Sequence, residues 1–253
     1  MFESELETIE TLLKLPTRTA GVKFLKKGDA IPKSPMPQLH NFCQLISIAR
    51  YQEMGNVWVA EKAVCAIGAA CLGLIKTPEI FTSGKAPTGR YTKDENAGKK
   101  FMANVFKIGD TDERFAGLFV HSLRKMKEAD VAVLYGMPAQ IMRLIHAFAY
   151  DSGEKVTGDT VAEAALCSAT AFAFKNKKPI FAIPCAGDRR FGGTQHTEII
   201  FAMPTTEIKR VAENLVATEK LGASVFPVAP FAFYEPKMGE SYAMKKQYLE
   251  EEK

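Results

Sequence analysis

With 253 residues, 47% of them apolar and 25% charged, the chain has ordinary globular proportions and can bury a large core, as one domain or as two fused halves. Its net charge of +4 comes from scattered lysines with no aromatic-basic motif, which argues against nucleic acid as a partner. No apolar run reaches the roughly 18 residues of a membrane helix, and the acidic opening Met1-Phe-Glu-Ser-Glu-Leu-Glu is unlike a signal peptide, so no membrane association and a cytoplasmic location are expected.

In chain order, Leu6, Ile9, Leu12 and Leu13 form a helical stripe in residues 4–15. Ser4 and Glu7 are spaced as a capping box, and Pro16 ends the helix. Gly21-Val-Lys-Phe-Leu25 reads as a strand, and the prolines and glycine of 28–38, including Pro35 and Pro37, read as a loop. Cys43 begins a helical segment with His40 on its face; after a turn at Gly55-Asn56, Val57-Trp-Val-Ala60 is a strand. Cys65 then opens a small-residue loop, Cys65-Ala-Ile-Gly68-Ala-Ala-Cys-Leu-Gly73. Residues 78–90, rich in Gly, Pro, Thr and Ser, read as a surface excursion of the kind used as a lid. A helix weakened by Gly98 is expected over 91–105, and strands over Phe115–Leu123 and Asp130–Tyr135. The unbroken apolar run of the last fits a strand covered on both faces. A helix follows from Met137-Pro138 to about Tyr150, then a turn-rich link over 153–159 and an alanine-rich helix carrying Cys167. The strand Pro179-Ile-Phe-Ala-Ile183 leads to Pro184-Cys185-Ala-Gly187-Asp188-Arg189-Arg190-Phe191-Gly192-Gly193. A strand at Thr197–Met203, an amphipathic helix over 204–215, and a tail of prolines, aromatics and finally charges complete the chain.

One plan occurs twice: helix with Cys, turn, strand, Cys, glycine-containing loop. Its cysteines are Cys43 and Cys65, 22 residues apart, and Cys167 and Cys185, 18 apart. This order predicts an internal duplication, giving an α/β protein of two fused pseudo-symmetric halves with sheets covered by helices. The expected divisions are an N-terminal helix (1–16), a first half (17–107), a second half (108–220) and a C-terminal tail (221–253), with the halves packed as one unit. A pseudo-two-fold axis between such halves would bring the four cysteines towards a shared centre.

Five cysteines without an export signal do not suggest a disulfide framework. Buried apolar thiols, metal ligands and reactive thiols stay open. Cys65 and Cys185 each follow a strand; a helix starting just after them would lower the thiol pKa, making each a candidate catalytic nucleophile. Together, Cys43, Cys65, Cys167 and Cys185 match iron–sulfur or zinc ligation in residue type. No Cys-x2-Cys pair is present, so the fold alone would have to assemble that set. Cys71 lies outside the repeat and reads as core. Gly68, Gly187, Gly192 and Gly193 would let backbone approach a ligand. Asp188, Arg189 and Glu198 supply charge, with Arg189 able either to fork onto a substrate carboxylate or phosphate or to pair within its own loop. The glycines form neither a dinucleotide fingerprint nor a Walker loop. His196 reads as a base, a ligand or an exposed side chain, and His121 and His146 as core groups.

Three sets of residues resemble the uncharacterised ArCR family, domain-of-unknown-function family 169. They are Phe42-Cys43-Gln44, Cys65-x-x-Gly68 with Leu72-Gly73-Leu74, and Cys185-Ala-Gly-Asp-Arg189 with Phe191-Gly-Gly-Thr-Gln195 and Glu198. The resemblance covers roughly residues 10 to 225. Where that family often has Cys-Pro-Gly-Gly, this chain has Cys65-Ala-Ile-Gly68. The family occurs largely in anaerobic microbes, which implies retained thiols and room for an oxygen-sensitive centre. The combined expectation is a cysteine-lined cofactor- or metal-binding protein of anaerobic metabolism that holds an anionic small molecule near Cys185–Arg189. An iron–sulfur cluster is the leading cofactor and a tetrapyrrole the second; homo-oligomerisation stays open. The alternatives are a metal-free thiol-nucleophile enzyme acting on an electrophile such as a thioester, and a non-catalytic carrier of an anionic cofactor.

Overall fold

A computed structural model describes residues 2–33 and 40–222; Pro35, Pro37 and the tail beyond Gly222 lie outside the described residues. Its centre is β4 (Val131–Gly136), whose six residues are all buried, as the unbroken apolar run requires of a strand covered on both faces. With β1 (Ala20–Leu25), β2 (Asn56–Trp58), β3 (Gly117–Ser122), β5 (Thr157–Asp159), β6 (Ile180–Ala182) and β7 (Ile199–Pro204), it forms a seven-stranded sheet of order β2-β3-β1-β4-β7-β6-β5. Every neighbouring pair is antiparallel except β5 and β6.

Because strand side chains alternate between faces, the sheet feeds two cores. On one face, Val22, Val120, Val133 and Ile200 pack beneath α2 (Phe42–Tyr51), α3 (Ala66–Cys71) and α7 (Ala165–Asn176). On the other, Ala132, Leu134, Phe201 and Met203 pack beneath α1 (Glu3–Leu13), α6 (Pro138–Ser152) and α9 (Ile208–Lys220). The result is a mixed α/β fold with helices on both sides of one sheet. The short helices α4 (Glu79–Thr82) and α5 (Glu95–Ala103) form part of the connection from α3 to β3. Among the described residues no helix is long and apolar enough to cross a membrane.

Several local expectations change. The N-cap of α1 is Phe2 without a side-chain bond, and the Ser4 hydroxyl donates to Glu5 instead of closing a capping box. Half of such a box is found at α2, where the Gln44 side chain accepts from the Asn41 backbone N–H at 2.8 Å. His40 precedes α2 rather than riding on it, and its carbonyl accepts from Trp58 Nε1 at 2.8 Å. His146 is exposed and His121 half-buried. Most important, the stretches after Cys65 and Cys185 are helices: α3, and α8 (Ala186–Gly192), each with the cysteine as N-cap.

Candidate functional site

The site grows out of α7. Eight of its twelve residues are buried, and most are small: alanines, Ser168 and Cys167 among them. Small side chains let the helix lie close to the sheet and leave space at its first turn. That space is a cavity of about 260 Å³, just under the usual range for small-molecule sites of ~300–1,000 Å³. Cys43, Cys65, Cys167 and Cys185 all line it. Phe42, Val64, Ile67, Leu166 and Phe191 give it apolar walls, and Arg90, Tyr91, Glu163 and Asp188 bring polar groups.

Two glycines define how the sulfurs sit. A Cβ on Gly68 would lie 3.1 Å from Cys167 Sγ and 3.4 Å from Cys65 Sγ. Around Gly187, the Cys43 thiol donates to the carbonyl oxygen at 3.7 Å, and Cys185 Sγ lies 3.8 Å from where a Cβ would stand. Cys43, Cys65 and Cys185 are half-buried, whereas Cys167 and Cys71 are buried. Cys71 does not line the cavity, as its core reading requires.

Burial, rather than helix position, governs Cys43, Cys65, Cys71 and Cys167. It raises Cys65 above the ordinary thiol pKa despite the opposing hydrogen bonds from the N–H groups of Gly68 and Ile67. The expectation that a helix start would lower the Cys65 pKa is therefore corrected, because α3 is a single short turn and a half that does not offset the loss of water. Burial likewise raises Cys43, with the nearby charge of Asp188 adding to it, and raises Cys71 and Cys167 strongly. Among the described residues no group of three or more His, Cys, Asp or Glu side chains is placed to hold a metal ion. The four-cysteine set therefore shares a cavity without being assembled as ligands around one ion.

Behind the cysteines lies a buried polar network. Asp188 is 1% exposed. It accepts from Tyr135 Oη at 3.1 and 3.2 Å and from Thr194 Oγ1 at 2.9 Å. Burial pushes its pKa up to about 6 against the opposing pull of these donors and of Arg50. Arg50 lies with its guanidinium 3.5 Å over the Tyr135 ring, donates to Thr17 Oγ1 at 3.0 Å, and forms a buried ion pair with Glu198. Gly192 is the hinge of contact between network and cysteines: a Cβ there would meet Asp188 Oδ1 at 2.7 Å and the Cys43 carbonyl oxygen at 3.1 Å. Since the Asp188 carboxylate is pinned by two hydroxyls, Gly192→Ala is expected to cost about 1–3 kcal/mol, as overpacking does. Thermal unfolding of the variant checks this.

Of the residues singled out in the sequence, Cys43, Cys65, Cys167, Cys185, Gly187 and Asp188 line the cavity, and Gly68 backs two of the sulfurs. Arg189 does not: its guanidinium donates to the Gln195 carbonyl at 2.8 Å, closing its own loop. Glu198 is taken up by Arg50 and by the N–H of Gln195, Gly193 is the left-handed C-cap of α8, and His196 is exposed. Sequence reasoning missed Arg90, Tyr91 and Glu163. Arg90 and Tyr91 sit at the end of the Gly- and Pro-rich excursion, where the lid reading gave a usable signal. Glu163 had none. It precedes Ala164, which adopts the left-handed region at φ 56°, a strained conformation for a residue other than glycine. Its Oε2 is buried without a hydrogen-bond partner, and burial raises its pKa against the pull of Arg90.

A model of the family described as uncharacterised ArCR matches residues 8–214. An uncharacterised protein of Methanocaldococcus jannaschii is 26% identical over 210 residues, covering 81% of this chain and 89% of its own. No solved structure matches the chain.

Proposed function

The chain belongs to the ArCR family, and we propose that it is a thiol-dependent enzyme whose cavity takes a small anionic molecule, with Cys65 and Cys185 as the acting side chains. The observation that carries this reading is the arrival of four cysteines from distant parts of the chain at one ligand-sized, largely apolar cavity. Buried cysteines commonly just pack, but packing gives no reason for four of five to meet at one opening. Arg90 at the mouth, rather than Arg189, supplies the cation for an anionic group: it is exposed and forms no salt bridge among the described residues.

Part of the same proposal is that the cavity lies between two copies of one ancestral unit. Three features support a duplication. The strand order is mirrored about the β1–β4 pair: β2-β3-β1 on one side, β6-β7-β4 on the other. The registers coincide, since placing Ala20↔Ser122 on Val131↔Pro204 also carries Leu25↔Gly117 onto Gly136↔Ile199 and Asn56↔Val120 onto Ile180↔Ala202. Finally, α2 packs on α8 and α7 on α3, so the contacts across the halves are themselves equivalent. On this reading β3 belongs to the first half, and the boundary falls between Lys125 and Val131 rather than at 107/108. Cys43 then corresponds to Cys167, and Cys65 to Cys185.

Alkylation tests the proposal. With limiting iodoacetamide at mildly alkaline pH, followed by peptide mass spectrometry, Cys65 and Cys185 are expected to be labelled first. Cys43, bonded to Gly187, should follow, and the buried Cys167 and Cys71 should react only on unfolding. Labelling of Cys71 as fast as Cys185 would remove the basis for the reading.

A further inference from the structure

Resting on that reading of the cavity, we infer that its reaction is proton transfer at carbon: Cys65 and Cys185 act as a two-base pair that inverts the 2-position of a small 2-amino or 2-hydroxy carboxylate. The inference starts from symmetry. Cys65 and Cys185 occupy equivalent places, each the N-cap of a short helix after β2 and β6, and both line one cavity. A pseudo-two-fold axis sets equivalent atoms on opposite sides of whatever lies on it, so a bound molecule meets one sulfur on each face. Nucleophilic attack needs one such sulfur and leaves its counterpart idle. Removing a proton from one face of a carbon and delivering another to the opposite face needs both.

The remaining cavity groups set the substrate class. Arg90 at the mouth takes the carboxylate, a guanidinium being suited to that planar anion. The Glu163 carboxyl has a buried Oε2 with no hydrogen-bond partner and faces the cavity beside Cys65. A buried polar oxygen of this kind is costly unless something binds it, and an amino or hydroxyl group on the 2-carbon supplies a donor. Phe42, Ile67 and Leu166 give the cavity apolar walls beside the cysteines, suited to the carbon skeleton of such a substrate.

The reaction starts from one thiolate and one thiol. The Cys65 thiolate takes the 2-hydrogen as a proton: the C–H bond breaks, an S–H bond forms, and the electron pair stays on the 2-carbon, delocalised into the carboxylate held by Arg90. The Cys185 S–H bond then breaks and its proton forms a new C–H bond on the other face, leaving a thiolate on Cys185. Nothing is oxidised or reduced, total charge is constant, and the reverse direction uses the same groups in the opposite order.

The test uses the full chain in deuterium oxide with both enantiomers of the common amino acids, lactate and malate as probes, followed by proton NMR and chiral chromatography. At least one probe should exchange its 2-hydrogen for deuterium and yield its mirror image. Cys65→Ser and Cys185→Ser, with Cys→Ala at each site as a second variant, should each lose inversion by about 100-fold or more, the usual range for a general acid or base. One of the two should keep exchange with retained configuration from the L side and the other from the D side, an asymmetry that a merely structural role does not produce. Absence of exchange with every probe overturns the inference, as does equal loss of exchange from both sides in both variants. If a probe slows alkylation of Cys185 without exchange, the proton-transfer chemistry fails while the thiol-cavity reading stands. If alkylation is unselective, that reading fails first.

Discussion

Replacing Arg50 with alanine is expected to destabilise the protein by about 3–5 kcal/mol, the cost of stripping one partner from a buried ion pair. The side chains of Arg50 and Glu198 are 1% and 5% exposed, so neither charge has water to fall back on. Arg50 also covers the Tyr135 ring at 3.5 Å and holds Thr17 Oγ1, and its loss weakens the support of Asp188 through Tyr135. At about 2–4 °C per kcal/mol for a chain of this size, the midpoint of thermal unfolding should fall by roughly 6–20 °C. Arg50→Met combined with Glu198→Gln should recover much of the loss, because the uncompensated charge is gone. A loss below about 1 kcal/mol, the value of a surface pair, would contradict this account of the network.

The second large effect is a pH dependence of unusual sign. Asp188 has its pKa raised by burial from 3.8 to about 6, so the folded chain holds the proton more tightly than the unfolded one. Below about pH 4 both states are protonated and the site's contribution is fully present. Between about pH 4 and 6 the unfolded carboxyl ionises while the folded one does not, and stability falls as pH rises through this window. The loss approaches roughly 3 kcal/mol, at 1.36 kcal/mol per pKa unit. Most carboxylates, with depressed pKa values, do the reverse. Asp188→Asn removes the titration while keeping an acceptor for Tyr135 or Thr194. The stability of the variant relative to the parent should therefore rise by about that amount from pH 4 to 7, read from denaturant unfolding at each pH. Parallel curves would contradict the assignment.

The meeting of Cys43, Cys65, Cys167 and Cys185 at one cavity was legible from their order among helices and strands, and order is what positions a residue in a sheet-and-helix fold. The strands β1, β3, β4 and β7 were legible from apolar runs alone. Misreading the stretch after Cys185 as a loop had a definite consequence. On a loop, Asp188 and Arg189 are interchangeable guesses; on α8, each residue turns about 100° from the last. One side chain therefore goes fully inward and the next outward, and Asp188 is buried while Arg189 closes an exposed turn. Arg90 and Glu163 reach the cavity from connections whose path depends on packing between elements far apart in sequence, and no local pattern encodes that. The place of β3 between β1 and β2 is likewise a long-range pairing that local punctuation does not encode.

The claim on which all else depends is that Cys65 and Cys185, one from each half, face each other across a single cavity. A short bifunctional thiol reagent, dibromobimane, tests it directly, because it becomes strongly fluorescent only when both of its arms have reacted. The account predicts one fluorescent adduct per chain and, after digestion, a joined peptide pair carrying Cys65 and Cys185, absent from either single serine variant. Single attachments only, or a joined pair that includes Cys71, would contradict it.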